Sequence, residues 1–218
     1  MKLFSMVALT FLGLFMSAQQ VKSGTTVASV AEKYIKAIGG RDAVSKVNSI
    51  TIKATTEVEG MNIDMKIIQA KGGKKVLDMQ LFGMSIQKIV FDGQNGYMEA
   101  EGEKSPLPSD MKEDLISNKG LFPELNFAKS SAYRLEGIKK YNGENSYVIS
   151  DENNAYYYSV KTGLKAGEKD KKGETLFSDY RSVSGIKIPF KRIQKNESDV
   201  EIKIQSIEIN QAKDSDFK

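Results

Sequence analysis

Ile50-Thr51-Ile52-Lys53-Ala54-Thr55-Thr56-Glu57-Val58-Glu59-Gly60-Met61-Asn62-Ile63-Asp64-Met65-Lys66-Ile67 is the stretch that decides the fold. Ile50, Ile52, Ala54 and Val58 alternate with Lys53, Thr55, Glu57 and Glu59, and beyond Gly60 the alternation resumes through Met61, Ile63, Met65 and Ile67. A period of two sends successive side chains to opposite faces, so each strand has one apolar and one wet face. A glycine between two such runs predicts an antiparallel hairpin.

Outward from this hairpin the same pattern recurs. Lys71–Gly72–Gly73–Lys74 closes the second strand, Leu77, Met79 and Leu81 mark a third, and Met84 to Phe91 a fourth. Asp92–Gly93 and Asn95–Gly96 are turn signals ahead of Tyr97–Met98. Upstream the period is helical. From Thr26, the residues Val27, Val30, Ala31, Tyr34, Ile35 and Ile38 fall on one stripe. Gly39–Gly40 ends it, because glycine accepts the left-handed turn at a helix C-terminus. A short helical turn over Asp42 to Val47 is expected next.

The middle breaks the alternation. Three of the four prolines, Pro106, Pro108 and Pro123, gather there. Between them Ser109 or Asp110 can cap a short helix bearing Met111, Leu115 and Ile116, with Leu121, Phe122 and Leu125 behind it. Strands then resume at Tyr133–Ile138, Ser146–Ser150, Ala155–Val160, Gly163–Lys169, Glu174–Val183, Ile186–Gln194 and Asp199–Asn210. In the last of these Ile202 and Ile204 are out of phase with Ile207 and Ile209, which predicts a bulge near Gln205–Ser206. The expected architecture is mainly β with α: a curved, partly closed antiparallel barrel of about eleven strands. It wraps an N-terminal helix and a mid-chain helical lid or plug.

Composition narrows function by what is missing. The chain has no histidine and no cysteine. Disulfides, a thiol nucleophile and the acylated cysteine of a bacterial lipoprotein are therefore excluded, and the commonest general base and metal ligand is absent. The 32 basic and 28 acidic residues are interspersed rather than gathered on one face, so nucleic acid is not an expected partner. At the start, Met1–Lys2, the apolar run Leu3–Met16 and the small residues Ser17–Ala18 form a cleavable export signal. No later run is long and apolar enough to span a bilayer. The expectation is a periplasmic, soluble, unlipidated monomer cut after Ala18, with residues 19–218 forming one domain.

Three phrases resemble the outer-membrane lipoprotein-sorting (LolA-like) superfamily. They are Gln87-Lys88-Ile89-Val90-Phe91-Asp92-Gly93-Gln94-Asn95-Gly96-Tyr97; Leu135-Glu136-Gly137-Ile138 with Asn142–Gly143 and Tyr147–Val148; and Tyr156-Tyr157-Tyr158 through Thr162-Gly163-Leu164 to Ser178-Asp179-Tyr180-Arg181 and Gly185-Ile186-Lys187-Ile188-Pro189. The resemblance implies an open barrel around helices, with a concave side that shelters acyl chains. Members of that family carry an Arg-Pro phrase on an early strand and an arginine that clasps the lid. Here residues 48–100 contain no arginine, and the only four are Arg41, Arg134, Arg181 and Arg192.

Methionine is the compositional signal of a binding face. Met61, Met65, Met79, Met84, Met98 and Met111 all fall in the first half, and an unbranched, polarisable side chain adapts to cargo of variable shape. The expected cavity walls are Met65, Ile67, Met79, Leu81, Met84 and Ile86, closed by Leu115, Ile116, Leu121 and Phe122. The same methionines could instead pack against the first helix, and the insert could be a permanent plug. Tyr156–Tyr157–Tyr158 is expected to alternate between sheet faces, and Asp179 to pair with Arg181. No catalytic residue, metal or cofactor is expected. Two functions compete: a non-enzymatic carrier of lipid or lipoprotein acyl chains, and an envelope module that binds protein on its sheet. A hydrolase working through carboxylates is the weakest third.

Overall fold

The computed structural model describes residues 22–117, 120–171, 173–196 and 198–218; the expected signal at residues 1–18 lies outside them. The deciding stretch forms β1 (Ser49–Val58) and β2 (Met61–Ala70), with Ile52 opposite Ile67, Ala54 opposite Met65 and Thr56 opposite Ile63. Directly opposed residues share a face, so the apolar set is continuous across the pair. β3 (Lys75–Leu81), β4 (Met84–Phe91), β5 (Gly96–Ala100) and β6 (Glu103–Pro106) extend it outward by hairpins.

Beyond the insert, β7 (Arg134–Tyr141), β8 (Glu144–Ser150), β9 (Ala155–Ser159), β10 (Lys165–Asp170), β11 (Gly173–Val183), β12 (Ile186–Lys195) and β13 (Val200–Ile209) form a second meander. Strand β13 returns to pair with β1. The result is one antiparallel sheet of 13 strands in the order β6-β5-β4-β3-β2-β1-β13-β12-β11-β10-β9-β8-β7. The count exceeds the expected eleven because β5 and β6 pair fully. β6 is polar and exposed throughout, so it shows no apolar alternation in sequence. Where the phase conflict predicted a bulge, Lys53 faces Ser206 and Ala54 faces Ile204, leaving Gln205 unpaired.

The sheet is curved but not closed, with β6 and β7 as its edges. Its curvature follows from the core. Ile52 on β1 and Ile149 on β8 lie six strands apart, about 29 Å on a flat sheet at 4.8 Å per strand. Both nevertheless belong to one buried cluster with Val30, Ile35, Ile38, Tyr158, Ile186 and Ile207.

Helix α1 (Val27–Ile38) is the filler. Its first turn is fixed by a reciprocal cap, with Thr26 Oγ1 accepting from the Ser29 amide at 3.1 Å and Ser29 Oγ from the Thr26 amide at 2.9 Å. Its stripe Val30, Ala31, Tyr34, Ile35 and Ile38 is buried. Gly39, at φ 139°, ends it where a Cβ would meet the Gly185 carbonyl at 2.5 Å, so the helix end docks on the β11–β12 hairpin only through glycine. A short α2 (Arg41–Ser45) leads into β1. On the opposite sheet face a smaller cluster, Ile68, Val76 and Val90, is covered by Phe217 of the terminal 3-10 helix Asp214–Phe217.

Candidate functional site on the concave face

Pairing places Ile63, Met65 and Ile67 on the inner face of β2, Leu77, Met79 and Leu81 on β3, Ile89 on β4 and Met98 on β5. The inner filling does not reach all of them. Met65 and Ile67 pack against the main cluster, whereas Leu77, Met79, Leu81, Ile89 and Met98 are partly buried and belong to neither core cluster. Met84 faces Leu81 at the hairpin end but is 67% exposed, and Ile86 falls in the bulge that interrupts β3–β4 pairing and is 38% exposed. Four expected wall residues thus line the inner sheet, and two stand at its rim.

The insert divides into two parts. Helix α3 (Ser109–Ser117) has no buried residue among those described, with Leu115 partly buried and Ile116 39% exposed. The 3-10 helix Pro123–Lys129 packs on α1 and buries Glu124 and Phe127. Phe127 is 1% exposed and stacks on Tyr133 with ring centroids 4.0 Å apart, while Leu121, Phe122 and Leu125 pack on the same cluster. Of the four expected closing residues, Leu121 and Phe122 belong to this inner plug; Leu115 and Ile116 belong to the outer helix.

A buried ion pair holds the plug. Glu124 Oε1 accepts from Lys165 Nζ at 2.6 Å and from the Tyr158 hydroxyl at 2.9 Å. The ammonium sits among the rings of Tyr156, Tyr34 and Tyr158, at 5.2, 5.7 and 5.9 Å from their centroids. Burial alone would depress the Lys165 pKa, but Glu124 and Glu168 outweigh it and hold the ammonium above its ordinary range. The Tyr158 and Tyr34 hydroxyls are pushed well up, first by burial and then by Glu124. Tyr156 and Tyr158 face inward, while Tyr157 stacks on Tyr141 across the other face at 3.8 Å.

Two cavities flank the plug. The inner one, about 200 Å³, is lined by Tyr34, Leu121, Phe122, Phe177, Ile188 and Arg192. The outer one, about 650 Å³, lies under α3, lined by Met111, Leu115, Tyr133, Tyr156, Lys75 and Asp170 among others. Pro123 lines both, so the start of the plug is their partition.

This architecture has a counterpart among solved structures. A LolA superfamily protein from Nitrosomonas europaea matches with a TM-score of 0.57 over 89% of this chain and 98% of its own, at 9% identity. The fold is LolA-like. Lipoprotein LppX from Mycobacterium tuberculosis (TM-score 0.34, 10% identity, 85% of this chain and 96% of its own) carries no argument at that similarity. The same holds for LprF from Mycobacterium bovis (TM-score 0.31, 9% identity, 83% and 92%). No protein-family model and no curated protein matches the sequence.

Within the LolA-like frame, sequence reasoning missed Glu124, Lys165 and Arg192. Glu124 follows a proline at the start of a helical turn, the usual place for a solvated carboxylate, and Lys165 opens a strand that continues into a charged run, Glu168-Lys169-Asp170. Both read as solvated. The one available signal was the rarity of arginine, four residues against 32 cations in all. Arg41, Arg134 and Arg181 are the exposed ones, with more than half of each side chain accessible, and Arg181 pairs with Asp179 at 2.5 Å as expected. Among the described residues, no helix is long and apolar enough to cross a membrane.

Proposed function

We propose that this chain is a non-enzymatic carrier that shelters an acyl chain of a lipid or lipoprotein between the inner faces of β2–β5 and the mid-chain insert. The observation that carries it is the uncovered inner wall. Leu77, Met79, Leu81, Ile89 and Met98 point into the concave side, yet α1 and the plug pack elsewhere. A packed domain of this size has little reason to leave five large apolar side chains half-covered on its inside unless something else covers them. Transfer of a sixteen-carbon chain through water needs shielding on the order of 12 kcal/mol at about 0.8 kcal/mol per methylene, which calls for a concave site and not a shallow groove. The LolA-like fold supports the reading, since an open sheet leaves room for cargo that a closed barrel would exclude.

The test is binding of a fluorescent fatty-acid probe to the purified protein, with saturable enhancement in the micromolar range as the expected result. Absence of binding at any accessible concentration sinks the carrier. Periplasmic export belongs to the same reading and rests on residues 1–18. Native mass spectrometry of protein recovered from the cell envelope should give a mass lacking them, with a lipid-sized adduct.

The alternative, an envelope module that docks protein, has one observation of its own. Phe82 is 86% exposed and Met84 67%, with Val58 and Met61 also exposed on hairpin ends. If no acyl probe binds, that apolar rim becomes the better account.

A further inference from the structure

Arg192 stands on the inner face of β12, opposite Phe177 on β11 and Ile202 on β13. Its Nε is sealed from solvent and has no hydrogen-bond partner, the one charged group among the buried unpartnered side-chain atoms of the described residues. Its guanidinium carbon lies 5.8 Å from the Phe177 ring, and no carboxylate of the described residues comes within 4.0 Å of it. The nearest acid on that side, Glu168, is already held by Lys165 at 3.5 Å. Burial pushes the guanidinium below its ordinary value, and Glu168 only partly restores it.

Arginine cannot escape this position by losing its proton, as a buried lysine would. A guanidinium nitrogen buried without a partner is costly, and such groups call for an explanation. The inner cavity supplies one. It holds three cations, Lys165, Lys187 and Arg192, against two carboxylates, Glu124 and Glu168. Glu124 and Glu168 are both engaged by Lys165, and Lys187 is exposed, so the surplus positive charge facing the cavity is that of Arg192, a partly exposed side chain whose Nε is the sealed atom. Its other walls are apolar or aromatic: Leu121, Phe122, Ile188, Pro189, Phe177 and Tyr34.

We infer that Arg192 is the head-group site of this carrier, binding the carboxylate of an acidic amphiphile whose chain leaves between the plug and the sheet. This rests on the carrier reading and adds to it the charge of the cargo. The guanidinium fork matches a carboxylate with two parallel N–H···O bonds, and the low polarity of the Phe177, Phe122 and Ile188 walls beside it strengthens them. At about 30 Å³ per small group, the inner cavity holds the head and its first few carbons. The rest of the chain passes Pro123, which also lines the outer cavity where Met111 and Leu115 lie.

Calorimetric titration of the full chain with dodecanoate, dodecanol and butyrate tests this, on wild type and on Arg192→Met and Arg192→Lys. Wild type should prefer dodecanoate over dodecanol by at least about tenfold. Arg192→Met should erase that preference while changing dodecanol affinity by less than about twofold, and Arg192→Lys should retain part of it. Removing a guanidinium whose Nε is buried without a partner should leave the Arg192→Met melting temperature unchanged or higher, which a merely structural arginine would not allow. Equal wild-type affinity for acid and alcohol overturns the head-group site and leaves the carrier standing, as does a preference that survives Arg192→Met. Butyrate binding that depends on Arg192 without any binding of the twelve-carbon ligands upholds the anion site and rejects the carrier. No binding of any of the three rejects both.

Discussion

A carboxylate as enclosed as Glu124, 2% exposed, persists as an ion only because its surroundings replace water contact by contact. Lys165 supplies the charge and the Tyr158 hydroxyl a second donor. Removing one partner leaves the other buried and uncompensated. Glu124→Gln and Lys165→Met should each therefore cost about 3–5 kcal/mol in urea unfolding. The double variant Glu124→Leu with Lys165→Met, which removes both charges, should recover most of that loss. Single-variant losses below about 1 kcal/mol would show that the pair is hydrated and not a clasp. None of this was legible along the chain, because Glu124 and Lys165 are 41 positions apart and no local spacing relates them. By contrast Asp179 and Arg181 could be paired from sequence, since two residues apart on a strand is a local relation.

Elements whose own residues state their period were readable to within a residue or two. Helix α1 carries an apolar stripe, a cap and a terminating glycine, and forms over Val27–Ile38. The hairpin of β1 and β2 turns at Gly60, and the β13 bulge falls where two apolar phases collide. Strand β6 was lost because nothing buries it, and the insert was ambiguous because its two parts look alike in sequence while one is core and the other cover. That division gives the element-scale expectation. Met79→Asp on the inner wall and Leu115→Asp on α3 should weaken the fatty-acid probe by about tenfold or more. Their thermal stability should fall less than that of Phe127→Ala, whose full burial makes a cost of about 3–5 kcal/mol the expectation. Met61→Asp, at the exposed hairpin end, serves as the control and should change neither. Equal loss of probe binding in Met79→Asp and Met61→Asp would remove the wall from the site.

At the scale of the whole molecule, composition sets the response to pH. With no histidine and no cysteine, no side chain has an ordinary pKa between about 4.5 and 10. On the acid side, Asp92, Glu136, Asp179 and Asp214 are held below their usual range, Asp92 by the Asn95 and Gln94 amides and the others by Ser150, Arg181 and Lys74. Lowered carboxylates contribute stability above about pH 4 that is lost as pH falls, but these four are exposed and the effect is small. On the alkaline side, Lys165 and the interior tyrosines Tyr34, Tyr158 and Tyr180 are all raised. The native chain keeps protons that the unfolded chain releases, so stability is full below about pH 10 and falls as pH rises beyond it. The urea midpoint should be flat from about pH 5.5 to 9, then drop more steeply in alkali than in acid. A midpoint that declines already between pH 6 and 8 would contradict this. By itself the sequence determined the period, and with it the antiparallel sheet, the leading helix and the apolar face of the strands that have one, because these depend on residues two to four positions apart. Tertiary structure alone decided which apolar residues became core and which were left as an uncovered wall. It also decided that a glutamate and a lysine would meet inside and that one arginine would have its Nε sealed without a partner. Those outcomes depend on how far the sheet curls around its plug, a relation among residues tens to more than a hundred positions apart that no local pattern encodes.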